Sequence, residues 1–402
     1  MRVGVVISGG SPLEGGGYSF ERLVLGGLKT TIARNEYIVL DLNGYPVGDS
    51  LSRSGDVALK KKKSLIRMGS DKVLRYLSYP RRDARKLDLS RAVRSLQLDL
   101  VWYLNQGGSE IPGCPFFITI WDLQHRLQPW FPELSIPSMK WIKRDAHYKR
   151  VLPLATKVIT GTETGKNEII YFYRIPATNI IVNPFPAPTV KNGANFTPID
   201  ELQRKYSLFG NYFIYPAQFW PHKNHINLLY AMRMLIDCNK ITPTLVLTGS
   251  DKGNMEHVKL KIKELALDSK VRILGFVSME DLYGLYKHAV ALVYASFFGP
   301  DNIPPLEANA IGCPVLAAKA DGVVDQLQDA AIYFDPANPA DIVKAMLVIL
   351  EDESVTLRLI KLGLKLANER SVENYVSGID KVISGMENIF RTWNSNSILA
   401  EI

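Results

Sequence analysis

Short apolar runs alternate with helical patterns along the whole chain. In the first half, VGVVIS, YIVLDL, LDLVWYL, FFITIWD and KVITG have the length of buried strands, and LVLGGLKTTIA has helical spacing. In the second half, YFIYPAQ, TLVLTG, VRILGFV, ALVYAS and PVLAA alternate with the helical segments NHINLLYAMRML and MEDLYGLYKHA. Such alternation predicts βαβ units and a doubly wound parallel sheet, so the fold class is α/β.

A proline- and asparagine-rich stretch divides this pattern into two parts. Residues 183–198, NPFPAPTVKNGANFTP, show neither helical nor strand periodicity and predict an interdomain linker. A chain of 402 residues also exceeds the size at which single cores stop growing. We therefore predict Rossmann-like domains over residues 1–185 and 195–375, and a C-terminal helical segment over residues 376–402 that packs back across the boundary.

Composition excludes some classes of protein. The three cysteines, Cys114, Cys238 and Cys313, are far apart and form no C-x-x-C, so they suggest neither a disulfide framework nor a zinc site. No stretch reaches 18 apolar residues, and the first residues lack the basic and apolar regions of a secretory leader. We expect a soluble, cytoplasmic protein.

The net charge of +8 is concentrated in one segment. Lys60 to Arg94 contains thirteen Lys or Arg residues and three Asp residues, with apolar residues such as Leu65 and Ile66 at helical spacing. This pattern predicts a basic amphipathic helix. It is either a solvated surface helix or a face that meets an anionic membrane surface or a lipid-diphosphate acceptor. Nucleic acid is an unlikely partner because no recognition motif accompanies the charge.

A carboxylate near the start of a helix is the first candidate for binding chemistry. Pro304 and Pro305 suit a first helical turn, Asn302 is the expected N-cap, and Gly312 ends the helix. Glu307 is therefore predicted in the first turn, pointing toward the loop after ALVYAS. There it either complements the helix dipole or accepts two hydrogen bonds from a vicinal diol such as a ribose.

A lysine before the next predicted helix is the second candidate. Lys223 lies in the loop PHKN between a strand and a helix, beside the expected N-cap Asn224. An ammonium group beside the positive end of a helix is the outline of a diphosphate site. A single lysine at such a position is more often an ordinary surface residue.

Two loops in the first half also follow predicted strands. Gly15, Gly16 and Gly17 allow a backbone to approach a ligand closely, but their spacing is not the G-x-G-x-x-G of nicotinamide sites. Asp122, Gln124 and His125 come just after a buried strand. His125 is either a hydrogen-bonded structural histidine or a polar contact to a transferred group or its acceptor.

Taken together, these residues resemble the retaining GT-B glycosyltransferases of family 4, the glycosyl transferases group 1. The motifs that carry the resemblance are IPPLEANAIGCPVLAA, PHKN, VRILGFVSMEDLYGLYKHAVALVYAS, WDLQH and TGTETGKNEII. Their order and spacing cover nearly the whole chain. The resemblance implies two Rossmann-like domains with parallel sheets that face a central cleft.

The resemblance also implies roles for individual residues. Glu307 would bind the ribose of a nucleotide-sugar donor, and Lys223 would bind its diphosphate. The implied donor-binding set comprises Gly16, Gly17, Gln218, Gly249, Phe276, Val277, Asp301, Asn302, Ile303 and Glu307, with Phe276 and Val277 beside the nucleobase. The implied catalytic set comprises Asp122, His125 and Lys223, and no metal site or other cofactor is expected.

The sequence departs from the family pattern at three places. The second glutamate, which usually contacts the donor sugar, is Gly299 here, with Asp301 and Asn302 nearby as substitutes. The arginine that usually accompanies the lysine on the diphosphate is Gln218, and the histidine before the N-terminal aspartate is Trp121. These differences bear on the identity of the donor and on activity.

The function implied is metal-independent transfer of a sugar, with retention, from a nucleotide-sugar donor to a saccharide or lipid-linked acceptor. Such a hexosyltransferase would serve polysaccharide or glycoconjugate biosynthesis, as a cytoplasmic protein with peripheral contact to the cytoplasmic membrane face. Two alternatives stay open. One is a catalytically silent nucleotide-sugar-binding protein, and the other is a nucleotide-sugar epimerase on the same fold.

Overall fold

Two sheets flanked by helices make up the chain in a computed structural model, which describes the residues that follow: 1–8, 15–41, 64–68, 72–77, 89–106, 111–136, 139–188, 196–238 and 243–392. The strands are β1 (Arg2–Ile7), β2 (Glu36–Asp41), β3 (Ser64–Met68), β4 (Lys72–Leu77), β5 (Leu100–Tyr103), β6 (Phe116–Thr119), β7 (Lys157–Thr160), β8 (Ile180–Val182), β9 (Tyr212–Pro216), β10 (Thr244–Thr248), β11 (Val271–Gly275), β12 (Ala291–Tyr294), β13 (Val315–Ala318) and β14 (Ile332–Phe334).

The helices between the strands are mostly short. They are α1 (Gly16–Thr30), α2 (Leu89–Leu96), α3 (Gln124–Leu127), α4 (Pro132–Ser135), α5 (Met139–Val151), α6 (Glu163–Tyr173), α7 (Ile199–Tyr206), α8 (His225–Cys238), α9 (Met255–Glu264), α10 (Met279–His288), α11 (Ile303–Ile311), α12 (Val323–Leu327), α13 (Pro339–Glu351), α14 (Glu353–Glu369), α15 (Val372–Gly385) and α16 (Glu387–Phe390). Within the described residues, 3-10 helices cover Leu152–Leu154, Ala177–Asn179 and Pro221–Lys223.

The predicted α/β fold of two Rossmann-like sheets is confirmed. The N-terminal sheet has the order β3-β4-β2-β1-β5-β6-β7-β8, and the C-terminal sheet has the order β11-β10-β9-β12-β13-β14. All neighbouring strands are parallel except β3 and β4. Strands buried on both faces read as continuous apolar runs. In β1, for example, Val5 belongs to the core on one face and Val6 to the core on the other.

The predicted basic helix within Lys60–Arg94 is wrong for the part that the structure describes. Residues 64–68 and 72–77 form an antiparallel pair of strands, β3 and β4, at the edge of the N-terminal sheet. Only α2, from Leu89, is helical. Short apolar runs cannot be assigned to helix or strand by periodicity alone, which explains the error. The rest of this segment, residues 60–63, 69–71 and 78–88, lies outside the described residues.

The chain crosses back to the N-terminal sheet through α15. This helix begins at Val372, four residues before the start of the predicted segment, and packs on α1. The approach is so close that a Cβ atom on Gly27 would lie 2.4 Å from Val372 Cγ2. Of the predicted linker, residues 189–195 lie outside the described part of the chain, as do residues 393–402 at the C-terminus.

Candidate active site

A cavity of about 650 Å³ lies between the two sheets and is lined from both sides. The C-terminal sheet contributes loops that follow β9, β10, β11 and β12, together with the start of α11. The N-terminal sheet contributes Gly15, Gly16 and Gly17 at the start of α1, and Asp122 after β6. Ligands in parallel α/β sheets bind outside the carboxyl ends of the strands, and this cavity lies there.

Lys223 is held at the cavity by the ends of two neighbouring strands. It closes the 3-10 helix Pro221–Lys223, and its Nζ donates to Tyr294 Oη at 3.0 Å. Its backbone carbonyl accepts a 2.6 Å hydrogen bond from the hydroxyl of Tyr215. Asn224 then takes a left-handed conformation, φ 57°, and its side chain donates to the carbonyl groups of Ala295 and Pro336. The ammonium group therefore faces the cavity from a rigid loop.

Glu307 lies one turn deeper in its helix than predicted. α11 begins at Ile303, so Glu307 is its fifth residue and belongs to the second turn. Its Oε2 accepts a 3.0 Å hydrogen bond from Tyr286 of α10, and the residue lines the cavity. Burial raises the pKa of Glu307 to about 7, against the lowering effect of the Tyr286 hydroxyl. The carboxyl group can therefore change its charge near neutral pH.

Asn302 fills the space that a side chain at residue 299 would need. It precedes α11 as predicted, but its side chain makes no cap hydrogen bond. Its Oδ1 accepts from Tyr294 Oη at 2.8 Å, and its Nδ2 donates to the Gly299 carbonyl. A Cβ atom on Gly299 would lie 2.2 Å from Asn302 Oδ1, and Gly299 has φ 136°. Only glycine fits this loop as it is folded.

Asp301 points toward the N-terminal domain at the edge of the same cavity. Both of its carboxylate oxygens are buried beside Gly161, and its Oδ1 lies 2.2 Å from the Cβ position of Gly161. Burial raises its pKa to about 7, although Arg370 and the amide group of Gly161 lower it. Two buried acceptors at a cavity wall are suited to hydroxyl donors from a ligand.

The other predicted donor-site residues also line the cavity. Phe276 and Val277 follow β11, and Gly249 follows β10 with φ 138°, where a Cβ atom would lie 2.4 Å from the Ala217 carbonyl oxygen. Gln218 follows β9 and donates from Nε2 to Ser250 at 3.2 Å. The remaining members of the set that line it are Gly16, Gly17 and Ile303.

Asp122 lines the cavity from the N-terminal side as a paired carboxylate. Arg144 of α5 donates to its Oδ1 at 2.7 Å and to its backbone carbonyl at 2.8 Å. Burial would raise the pKa of Asp122, but the Arg144 guanidinium and the amide group of Gln124 bring it below its ordinary value. Asp122 is therefore ionised, and the Arg144 guanidinium balances its negative charge.

His125 lies beneath the cavity wall and does not line the cavity. Its side chain is fully buried, and its Nε2 lies 2.8 Å from the Tyr173 hydroxyl. Burial lowers its pKa to about 3, and Arg144 adds to this effect. These surroundings are those of the structural histidine that the sequence left open as an alternative. Sequence analysis placed it in the catalytic set because of its position after a strand.

A contact between His222 and Glu133 joins the two domains at the cavity rim. His222 Nδ1 lies 2.5 Å from Glu133 Oε1 of α4, and Gln128 Nε2 donates across the same gap to the Phe297 carbonyl at 3.0 Å. Burial lowers the pKa of His222. Burial would raise the pKa of Glu133, but its hydrogen bond with His222 brings it below the ordinary value. We assign a neutral imidazole that donates to an ionised carboxylate.

Sequence analysis missed Tyr294, Arg144 and the His222–Glu133 contact. Tyr294 is the last residue of strand β12, and its place at the carboxyl end of a strand is the same signal that drew attention to Lys223. Glu133 and His222 are far apart in sequence, and nothing in either segment indicates that they meet.

The described residues contain neither a metal site nor a helix that could span a membrane. No three His, Cys, Asp or Glu side chains within the described ranges lie close enough together to hold a metal ion. No helix in that part of the chain is both long and apolar enough to cross a lipid bilayer.

The second half of the chain is similar to a known sequence family. The family model of the glycosyl transferases group 1 matches residues 200–365. O-antigen chain mannosyltransferase B of Escherichia coli is 28% identical over 241 residues, which are 59% of this chain and 62% of that protein. O-antigen chain mannosyltransferase RfbU of Salmonella typhimurium is 28% identical over 53% of this chain and 55% of its own length. The chain thus matches less than two thirds of either relative.

Solved structures of the same architecture match nearly the whole chain. HepE of Anabaena, in complex with UDP and glucose, superposes with a TM-score of 0.68 and 15% identity over 96% of this chain and 100% of that one. WaaG, a glycosyltransferase involved in lipopolysaccharide biosynthesis, superposes with a TM-score of 0.65 and 12% identity over 95% and 100%. Identities this low establish the fold alone, and the predicted GT-B fold is confirmed. The predicted family resemblance is confirmed by the family model that matches residues 200–365.

Proposed function

We propose that this protein is a glycosyltransferase of class EC 2.4. The premise is that residues 200–365 belong to the glycosyl transferases group 1. The observation that carries the proposal is the interdomain cavity. Lys223 and Glu307 line it, on segments that follow strands of the C-terminal sheet. An ammonium group and a carboxylate there suit the diphosphate and ribose of a nucleotide-sugar donor.

The chemical task is to stabilise a leaving diphosphate. Breaking the bond between the anomeric carbon and the diphosphate oxygen leaves both electrons on that oxygen, so negative charge grows beside Lys223. Fixed positive charge in a cavity with little water is the usual means of stabilising such a transition state. Lys223, held by Tyr215 and Tyr294, supplies it without reorganisation.

Retention of the anomeric configuration is part of the proposal. A double displacement needs a free carboxylate nucleophile, and Asp122 is occupied by Arg144. Front-side substitution, in which the leaving diphosphate takes the proton of the acceptor hydroxyl, needs no such nucleophile. We favour this mechanism, and the stereochemistry of the product, read by NMR, tests it.

The transferred sugar and acceptor are proposed from the relatives. Two of them are O-antigen chain mannosyltransferases, which supports a mannosyl group and a saccharide or lipid-linked acceptor in polysaccharide biosynthesis. A cytoplasmic location, with the basic segment Lys60–Arg94 on an anionic membrane surface, belongs to the same proposal.

Metal independence is also proposed. Lys223 offers the charge that a divalent cation would otherwise supply to the diphosphate. Transfer that continues at the same rate in EDTA would support this part of the proposal, and loss of transfer restored by Mg²⁺ or Mn²⁺ would overturn it.

A silent nucleotide-sugar-binding protein is the second candidate. Two observations favour it: Gln218 stands where the family has an arginine, and Asn302 occupies the space of the missing glutamate at residue 299. Binding of a nucleotide sugar without any turnover would identify this function.

Thermal unfolding in the presence of UDP, GDP, TDP, ADP or CMP is the first experiment. A nucleotide at 100 times its Kd stabilises by about 2.7 kcal/mol, which raises Tm by several degrees. We expect one nucleotide to shift the wild type and not Glu307→Ala. The corresponding sugar nucleotides are then incubated with and without a saccharide acceptor. Transfer supports the proposal, binding alone supports the silent protein, and isomerisation without acceptor indicates an epimerase.

A further inference from the structure

Tyr294 connects the lysine at the cavity to the loop before α11. Its hydroxyl accepts a hydrogen bond from Lys223 Nζ at 3.0 Å and lies 2.8 Å from Asn302 Oδ1. The Lys223 ammonium also lies 5.3 Å from the centre of the Tyr294 ring. Tyr294 is 3% exposed, so this contact is shielded from water except on the cavity side.

The direction of each hydrogen bond follows from Asn302. Its Nδ2 donates to the Gly299 carbonyl, so its Oδ1 faces Tyr294 and must accept. Its backbone is held as well, because Gln326 accepts from its amide at 3.0 Å and donates to its carbonyl at 2.9 Å. The Tyr294 proton therefore points to Asn302. A lone pair of the hydroxyl oxygen is left for the Lys223 ammonium.

Lys223 would otherwise be a flexible side chain. A lysine loses about 2 kcal/mol of rotamer freedom when it is fixed in one place. Here Tyr215 fixes the backbone carbonyl and Tyr294 fixes the ammonium, and the two rings pack edge to face with centroids 5.5 Å apart. One ammonium proton is used by Tyr294, and the other two remain for a ligand.

We propose that Tyr294 is the positioning residue for Lys223: it orients the ammonium group toward the diphosphate of the donor and keeps it there before the donor arrives. The proposal rests on the proposed function, because it assumes a diphosphate ligand. Gly299 and Asn302 belong to the same arrangement. The loop that lacks the family's second glutamate instead supplies the acceptor that orients Tyr294.

A positioning role and a purely structural role of Tyr294 predict different effects on the binding of nucleoside diphosphates and of nucleosides. Tyr294→Phe keeps the ring against Lys223 and removes only the hydroxyl. We expect it to weaken binding of GDP or UDP about tenfold, the usual cost of one hydrogen bond to a charged group, and to leave binding of guanosine or uridine unchanged. A loss confined to the diphosphate is not expected from general loosening of the fold.

A double-mutant cycle with Lys223→Met tests whether Tyr294 acts on the diphosphate through Lys223. If Tyr294 acts through Lys223, Tyr294→Phe causes no further loss of diphosphate affinity or of the kcat for donor hydrolysis once Lys223 is gone. GDP-mannose and UDP-glucose are suitable probes because water can replace the saccharide acceptor, which releases the free sugar and the nucleoside diphosphate. An equal loss in both backgrounds, or wild-type behaviour of Tyr294→Phe, would overturn the proposal.

Tyr212→Phe is the matched control. It removes a buried tyrosine hydroxyl from the same sheet, one that donates to the Leu285 carbonyl at 2.8 Å away from the cavity lining. We expect it to lower Tm without changing diphosphate affinity. If Tyr294→Phe does not fold, Asn302→Ala leaves Tyr294 in place but frees its hydroxyl. That variant is expected to weaken diphosphate binding about threefold, again only when Lys223 is present.

Failure of the proposed function gives a different result. If the wild type binds none of UDP, GDP, TDP and ADP and hydrolyses none of the corresponding sugar nucleotides, the diphosphate ligand itself is wrong. If the wild type binds one of them and Tyr294→Phe binds it equally well, only the positioning role is wrong.

Discussion

Glu307 is poised to make nucleotide binding depend on pH. Its pKa is raised to about 7 by burial, so it gains its charge across the neutral range. Two hydrogen bonds from a ribose diol are accepted best by the ionised form. We expect the affinity for the bound nucleotide to be about tenfold weaker at pH 6 than at its plateau above pH 8. Titration calorimetry at half-unit steps measures this dependence.

Glu307→Gln is the control for this prediction. The amide has no charge to lose, so the variant should bind weakly and show only the pH dependence of the nucleotide's own phosphate groups. Identical pH profiles for the two proteins would show that Glu307 does not titrate in the binding reaction. The same pKa shift also predicts that the free energy of unfolding falls between pH 4.5 and about 7, since the folded state holds the proton longer.

Gly299 is predicted to resist restoration of the family's glutamate. Gly299→Glu would place a Cβ atom on the Asn302 amide and force a residue with a side chain into φ 136°. Backbone strain and the clash each cost about 1–3 kcal/mol, so we expect a loss of about 2–4 kcal/mol in the free energy of unfolding, and weaker, not stronger, donor binding. Urea unfolding and the nucleotide shift assay measure the two effects.

Gly253→Ala separates backbone strain from the clash. Gly253 also has a positive φ, 99°, but a Cβ atom there would meet no atom within 4 Å. This variant should cost about 1 kcal/mol and leave nucleotide binding unchanged. If Gly299→Glu is as stable as Gly253→Ala, or gains donor affinity, the account of this loop is wrong.

A buried carboxylate of α15 adds hydrogen bonds to the apolar packing that holds this helix on the N-terminal sheet. Asp380 accepts hydrogen bonds from the Arg34 amide at 2.8 Å, from Asn35 Nδ2 at 2.8 Å and from the Tyr37 hydroxyl at 2.9 Å. Asp380→Ala removes the acceptor of the buried Tyr37 hydroxyl and one acceptor of the buried Asn35 side chain. We expect it to lower the free energy of unfolding by about 3 kcal/mol.

Lys381→Ala on the same helix is the comparison for Asp380→Ala. Lys381 is exposed, and its removal should change stability by less than about 0.5 kcal/mol. Denaturant unfolding followed by tryptophan fluorescence gives both values. A cost for Asp380→Ala no larger than that for Lys381→Ala would mean that α15 is anchored by apolar packing alone.

Sequence patterns predicted the elements better than they predicted their contacts. Continuous apolar runs such as VGVVIS are typical of strands covered on both faces, and glycine and proline marked where α11 begins and ends. The patterns did not separate the strands β3 and β4 from a basic helix. They also placed Glu307 in the first turn of α11, although it is the fifth residue of a helix that begins after Asn302, as predicted, and so belongs to the second turn.

Candidate site residues were predictable where the rule of strand ends applies. Lys223 and Glu307 follow strands and line the cavity, and Asp122 follows β6. His125 follows the same strand, but burial by Tyr173 and Trp141 turns it away from the cavity, which no local pattern shows. Contacts between distant segments, such as Arg144 with Asp122, depend on the packing of whole domains.

At the scale of the whole molecule, polar contacts join the domains on two sides of the cavity. At the rim, Glu133 meets His222, and Gln128 meets the Phe297 carbonyl. On the other side, Thr164 at the start of α6 donates to Asp325 at 2.7 Å through its hydroxyl. The rim contacts involve a buried pair, whereas the Asp325 contact is exposed. Opening of the cleft should therefore be limited mainly by the rim.

Glu133→Ala is predicted to favour an open cleft. It leaves His222 without its partner, and lost partners of buried polar groups cost about 1–3 kcal/mol. A population shifted toward the open form binds its donor less well and protects it less from water. We expect a larger radius of gyration in small-angle scattering and a higher ratio of donor hydrolysis to transfer. Glu163→Ala, which removes a carboxylate paired only with Lys166 on the same helix, should change neither measurement. If Glu133→Ala leaves both measurements unchanged, the rim contact does not hold the cleft closed, and closure must then come from the donor itself.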